Sequence, residues 1–212
     1  MAVCIILAGG GSTRMPGDKA FMEIGGRRVI DIQLDVLDGL FERFLVVGNA
    51  ERMESLKIYQ RPGVSVLEET FRGSGPLGGI LSGLCLSGSE ENFVLACDMP
   101  FIRRDAVLHV MRSLDGYQAA VPVTPGGLEP LHAAYRRDCA PVIKRRLQRG
   151  ELKVTGFYEE VSVNYLPFEE LARFDSTGRF LLNINSPEEM RKAVESKWRA
   201  PSSYPGSPAG TG

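Results

Sequence analysis

The stretch LAGGGSTRMPGDK, residues 7–19, decides how the rest of the chain is read. It continues the apolar run VCIIL (3–7). A short aliphatic run that ends abruptly in three glycines reads as a buried strand leaving its sheet through a tight loop. Glycine tolerates positive φ and has no Cβ, so successive glycines can turn their N–H groups toward one point and leave room for an anion. Behind them stand Arg14, a planar fork of donors, and Lys19, a mobile point charge. Together they predict a phosphate site. Two familiar loops are excluded. A Walker loop needs GxxxxGK[ST], but Asp18 follows Gly17 and Ala20 follows Lys19. A dinucleotide fingerprint needs GxGxxG, and Arg14 stands where its third glycine belongs.

Outward from this loop, short apolar runs alternate with amphipathic ones. Phe44–Val47, Val64–Leu67, Phe93–Ala96 and Ala119–Val123 read as further strands, the last weakened by Pro122. Between the first two strands, VIDIQLDVLDGL (29–40) places Ile30, Leu34, Leu37 and Leu40 on one helical face. DAVLHVMRSL (105–114) and APVIKRRLQRG (140–150) are further helices, the second with a glycine stop signal at Gly150. Alternating strands and helices predict an α/β fold with a mostly parallel sheet covered on both faces. Ligands of such sheets sit beyond the carboxyl ends of the strands. The informative residues follow strands here: Gly9–Gly11, Asn49, Glu68 with Glu69, and Asp98. SPEE (186–189) is a capping box with proline at the first helical position, predicting a helix through Trp198. The segment APSSYPGSPAGTG (200–212) is poor in apolar residues, so the expectation is a single domain over residues 1–198 and a disordered tail over 199–212.

Bulk properties narrow the function. The chain has 212 residues, 43% hydrophobic and 24% charged, with a net charge of −1. That is an ordinary globular composition with no field for non-specific nucleic-acid binding, so any phosphate recognition is local. MAVCIILAGG has no basic leader and only a short apolar run, predicting neither a secretory signal nor a membrane span. Cys4, Cys85, Cys97 and Cys139 form no CxxC pair, and His109 and His132 are the only histidines. These counts argue against a zinc or histidine-rich centre and suit a reducing, cytoplasmic compartment.

LAGGGSTRMPGDK resembles the LAGGxSxRMGxDK signature of the molybdenum cofactor guanylyltransferases, within the nucleotidyltransferases that have a Rossmann-like sheet. Asn49, GPLGGILSGL (75–84), CDMPFI (97–102), EPLHAAY (129–135) and NINSPEE (183–189) resemble further blocks of that family in the same order, over residues 3–195. The resemblance implies a three-layer Rossmann-like nucleotidyltransferase fold. It also implies transfer of GMP from GTP to the terminal phosphate of molybdopterin, with release of pyrophosphate and a requirement for magnesium. By position, Leu7, Ala8, Gly9, Gly10, Gly75 and Gly78 would line the nucleotide site. Arg14 and Lys19 would hold the triphosphate, Asn49 would meet the base or ribose, and Asp98 would ligate the metal. Asn183 and Asn185 would lie toward the pterin. A hand-over of the product to molybdoenzymes or their chaperones is a further implication. Two departures stand out. Pro16 replaces the glycine that usually follows Arg-Met, and Glu69 stands where an aspartate is common in the nucleotide site.

The chemistry suits these residues. In-line transfer between two polyanions needs charge neutralisation and alignment. A phosphomonoester is already ionised at neutral pH, with a second pKa of about 6, so no strong base is required. Asp98, placed after a strand and in a turn with Met99-Pro100, suits magnesium, although Asp-x-Pro also makes ordinary turns. GPLGGILSGL also reads as a glycine-softened helix start for close packing. His132 reads as a hydrogen-bonded strand histidine, and the Arg pairs 103–104, 136–137 and 145–146 as solvated faces. Two alternatives stay open. One is a CTP-dependent or other small-molecule nucleotidyltransferase, disfavoured by LAGG where CTP users more often have LAAG. The other is a non-catalytic nucleotide-binding partner or sensor.

Overall fold

The computed structural model describes residues 2–9, 21–184, 186, 188 and 189. The chain begins with strand β1 (Val3–Leu7) and the short hairpin β2 (Glu23–Ile24) and β3 (Arg27–Arg28). That hairpin turns on Gly25 and Gly26, both at positive φ, as a two-residue turn of this kind requires. Helix α1 (Val29–Val36), β4 (Arg43–Gly48), α2 (Met53–Leu56) and β5 (Val64–Glu68) follow. Next come α3 (Gly75–Leu86), β6 (Glu91–Ala96), α4 (Arg104–Arg112), β7 (Ala119–Thr124), β8 (Gly127–Leu128) and β9 (His132–Arg136). Helix α5 (Cys139–Gln148), a 3-10 segment Val154–Glu160, β10 (Val163–Pro167) and α6 (Phe168–Leu171) follow, and shorter 3-10 turns lie at Ala50–Arg52, Lys57–Tyr59 and Arg179–Leu181.

Eight strands form one sheet in the order β10-β7-β9-β6-β1-β4-β5, with β8 beside β7. β1 pairs in parallel with both β4 and β6, β4 with β5, and β10 with β7. Among the described strands of this sheet, only β9 and β8 run against their neighbours. β1 is therefore central, and the strand order reverses on either side of it.

Strand side chains alternate between two cores, because successive residues of a strand face opposite sides. Cys4, Ile6 and Ala8 join α1, α4 and Leu171 of α6 on one side. Val3, Ile5 and Leu7 join α3, α5, Phe157 and Tyr158 on the other. These are the three layers expected of the fold.

Each strand read from the sequence is present. Pro122 is accommodated because the β7–β9 pairing ends at Ala120↔Ala134, before the residue that lacks an N–H. Helix α1 stops at Val36, short of Leu40, although Leu37 stays buried in a following turn. α5 ends as expected: Gly150 adopts a φ of 76°, and the N–H groups of Gly150 and Glu151 reach the carbonyls of Leu147 and Arg146 at 3.0 Å each. The Ser186 hydroxyl accepts the Glu189 N–H at 3.1 Å, the bond a capping box makes. The rest of that helix, through Trp198, and the tail over 199–212 lie outside the described residues.

Candidate functional site

The carboxyl ends of β1, β4, β5 and β6 meet at one edge of the sheet, and the sequence places polar residues there. Past β1, Ala8 donates its N–H to Val47 at 2.8 Å, while its carbonyl accepts from Arg52 Nη1 at 2.7 Å. Asn49, which follows β4, offers Nδ2 to the Gly9 carbonyl at 3.4 Å, and its Oδ1 is buried without a hydrogen-bond partner among the described residues. A Cβ at position 9 would lie 3.4 Å from both the Asn49 backbone nitrogen and Glu69 Oε2. Leu7, Ala8, Gly9, Asn49 and Glu69 are thus brought together. Burial pushes the Glu69 carboxyl up from its usual range, against the opposing effect of the Gly73 N–H. Gly10, Arg14, Pro16 and Lys19 lie outside the described residues.

The glycines of α3 divide in role. Gly79 and Gly83 face β1: a Cβ on Gly79 would come within 3.1 Å of Leu7 Cδ2, and one on Gly83 within 2.5 Å of Ile5 Cγ2. Gly78 lies against Phe71 and Ser74, where a Cβ would fall 2.8 Å from the Phe71 carbonyl oxygen. Gly75 opens the helix at a φ of 59° with open space beside it. Close packing is therefore one reason for this glycine-rich block. The packing seats the start of α3 over the end of β1.

Asp98 lies past β6 in a turn held on several sides. The Cys97 N–H bonds the Leu7 carbonyl at 3.1 Å, and the Asp98 carbonyl accepts from the Ile184 N–H at 2.9 Å. From α1, the buried Gln33 places Nε2 at 2.8 Å from the Ala96 carbonyl and 3.0 Å from that of Met99. One side chain thereby bridges the residues flanking Cys97 and Asp98. Gln33 was not among the expected site residues, and its sole sequence signal was a polar residue inside an otherwise apolar helical face.

Glu129 was also missed, although it opens the EPLHAAY block. Its N–H bonds the Pro122 carbonyl at 2.9 Å, and Thr124 Oγ1 lies 3.4 Å from its Oε1. Asn183 makes a side-chain hydrogen bond to its carboxyl, and the Asp98 charge acts on it. Burial pushes its pKa up to about 7 despite the two hydrogen bonds, with Asp98 adding to the rise. Asn183 is therefore joined to Glu129 and, through Ile184, to the Asp98 turn. Asn185 lies outside the described residues.

His132 corrects an expectation. It is fully buried, and neither ring nitrogen has a hydrogen-bond partner among the described residues. It packs edge-to-face with Phe93 at 5.1 Å and Phe180 at 5.8 Å between centroids. Burial lowers its pKa to about 3, so the ring is neutral. An aromatic slot replaced the expected hydrogen bond because the strand interior offers it rings and no polar groups. Arg103, Arg136 and Arg145 lie on solvated faces, pairing with Asp105 at 3.0 Å, Glu91 at 3.4 Å and Glu160 at 3.1 Å; Arg146 departs from that expectation, being mostly buried between Glu151 at 2.6 Å and Glu160 at 3.0 Å.

Polar groups at the carboxyl edge of a mostly parallel sheet, on both sides of its central strand, mark the ligand site of an open α/β fold. Residues 4–161 match the MobA-like NTP transferase domain. The chain is 35% identical over 192 residues to a probable molybdenum cofactor guanylyltransferase of Pelotomaculum thermopropionicum, covering 91% of each chain. It is 32% identical over 195 residues to a probable molybdenum cofactor guanylyltransferase of Peptoclostridium acidaminophilum, covering 89% of this chain and 86% of the relative. In structure it resembles molybdopterin-guanine dinucleotide biosynthesis protein A of Archaeoglobus fulgidus, with a TM-score of 0.78 at 25% identity, over 92% of this chain and 97% of that one. The chain belongs to the MobA-like NTP transferase family and is a nucleotidyltransferase.

Proposed function

We propose that this chain transfers GMP from GTP to the terminal phosphate of molybdopterin, forming the guanine dinucleotide cofactor and releasing pyrophosphate. The observation that carries the reading is the convergence of Gly9, Asn49 and Glu69 on one side of β1 and Asp98 on the other. Relatives named as probable molybdenum cofactor guanylyltransferases support the choice of a guanylyl group and of this acceptor.

Each residue has a definable task. Arg14 and Lys19 neutralise the triphosphate and align its α-phosphorus for attack. Glu69 is an acceptor half sunk at the base side, and a carboxylate accepts the adjacent N–H donors of a guanine edge, which cytosine lacks in that arrangement. Asn49, placed directly after β4 and bonded to the Gly9 carbonyl, serves the same side. No strong base is needed, since the attacking phosphate is already ionised.

Among the described residues no three His, Cys, Asp or Glu side chains form a metal cage. Magnesium needs only one or two carboxylates when substrate phosphates complete its shell, so Asp98 fits as its protein ligand. Bound there, the ion would neutralise charge building on the phosphates during transfer. The proposal extends to delivery of the product to molybdoenzymes or their chaperones.

The test is incubation with magnesium, molybdopterin and either GTP or CTP, scoring pyrophosphate and dinucleotide. Guanine dinucleotide from GTP alone is expected, with Asp98→Asn folded and its turnover lowered at least 100-fold, the scale of one lost electrostatic stabiliser. Cytosine dinucleotide would keep the reaction class and overturn the base assignment. Bound nucleotide without product would favour a binding module.

A further inference from the structure

Helix α1 sinks one polar side chain into the core. Gln33 is fully buried beside Ile30, Leu34 and, just past the helix, Leu37, all of them buried too. Its Oε1 has no hydrogen-bond partner among the described residues. An amide with one end unsatisfied fills a core poorly, since methionine has the same length and carries no such desolvation penalty. The other end of the amide accounts for it. Nε2 lies 2.8 Å from the Ala96 carbonyl and 3.0 Å from the Met99 carbonyl. Two acceptors settle which end faces the turn, because an oxygen there would meet only oxygens. Ala96 gives its N–H to the Leu131 carbonyl at 2.9 Å, one residue past the last β6–β9 pair, Leu95↔His132. Its own carbonyl falls where the ladder ends, and Gln33 supplies the donor. The turn that carries Asp98 is thus tied from three directions. Cys97 N–H reaches the Leu7 carbonyl at 3.1 Å, Ile184 N–H reaches the Asp98 carbonyl at 2.9 Å, and Gln33 holds both ends. Of these three ties, the one from α1 is made by a side chain, so a substitution can remove it and leave the backbone unchanged.

We propose that Gln33 is a positioning residue for the metal end of the site, clamping the Ala96–Met99 turn so that Asp98 is held in place for the divalent ion that accompanies the nucleotide. This rests on the transfer reaction and on the magnesium role of Asp98 proposed above. Magnesium demands a near-ideal octahedral shell, so a carboxylate on a wandering turn serves it badly. Partners standing behind a metal ligand accordingly control affinity almost as strongly as the ligand does. Gln33 is fully buried and acts through the turn alone. Its influence therefore falls on the metal and leaves the Gly9, Asn49 and Glu69 side of the site as it is. Gln33→Met keeps the length of the side chain and removes the donor.

The test is titration calorimetry of GTP, once in EDTA and once in Mn2+, a probe for the same oxygen ligands. The factor by which Mn2+ tightens GTP binding measures the coupling of metal and nucleotide. In Gln33→Met that factor should fall about tenfold or more, the scale seen when a partner behind a metal ligand is lost. The GTP affinity in EDTA should stay as in the wild type, which also shows that the variant is folded. Leu37→Ala, a cavity in the same core away from the turn, controls for mere loss of stability. It should lower the melting temperature and keep the Mn2+ factor. An undiminished factor in Gln33→Met would overturn the proposal. So would an equal loss of GTP affinity in EDTA, or the same fall in Leu37→Ala. If Asp98→Asn keeps the full Mn2+ factor, the metal role of Asp98 fails and this inference with it. If the wild type forms no product with molybdopterin, the transfer reading fails, while the Mn2+ factor still decides whether Gln33 serves the metal.

Discussion

At the residue scale, the described polar residues of the site are oriented by specific partners. Gln33 spans the carbonyls on either side of Cys97 and Asp98, Arg52 holds the Ala8 carbonyl, and Glu129 takes Asn183. His132 is the counter-example, a polar ring with aromatic neighbours instead of partners. Its consequence is measurable. The folded-state pKa, about 3, lies below the ordinary value of 6.5, so the unfolded chain takes up the proton first. Stability from keeping this ring neutral is present above about pH 6.5 and drains away as the pH falls toward 3, at about 1.4 kcal/mol per pH unit when fully expressed. Urea unfolding of the wild type and of His132→Leu between pH 7 and 4.5 checks this. The acid-side loss should be visibly shallower in the variant, and parallel curves would remove His132 as a source of acid sensitivity.

At the scale of elements, the contact between α3 and β1 does the most to shape the nucleotide side. Gly79 and Gly83, one helical turn apart, let α3 lie directly on Leu7 and Ile5. Alanine at position 83 would gain about 1 kcal/mol in intrinsic helix propensity. It would also set a methyl group 2.5 Å from Ile5 Cγ2, which branches at Cβ in a fully buried central strand and cannot swing aside. Overpacking of this kind costs about 1–3 kcal/mol, so the clash prevails. Gly83→Ala should lower the melting temperature by several degrees in calorimetry, and its GTP affinity should fall as the start of α3 shifts. A variant as stable as the wild type would mean that helix and strand have slack here.

At the scale of the whole molecule, the two cores hold the strand ends at one edge, so ligand binding there should report on global stability. GTP with magnesium at about 100 times its Kd should stabilise the fold by about 2.7 kcal/mol, raising the melting temperature by about 5–10 °C for a chain of this size. CTP at the same concentration should do much less, and Lys19→Ala should shrink the GTP shift. Equal shifts with the two nucleotides would count against guanine selectivity. The sequence by itself determined strands β1, β4, β5, β6 and β7, their alternation with helices, the glycine loop and the polar residues that follow β1, β4, β5 and β6. Those are local signals: apolar periodicity, glycine clusters and residue type at strand ends. Only the tertiary structure decided that β9 runs against β6, that Gln33 and Glu129 serve the Asp98 side, and that His132 lies among rings. Those pairings join residues far apart in the chain. Each depends on which groups meet when helices pack on a twisted sheet, and that information no single segment carries.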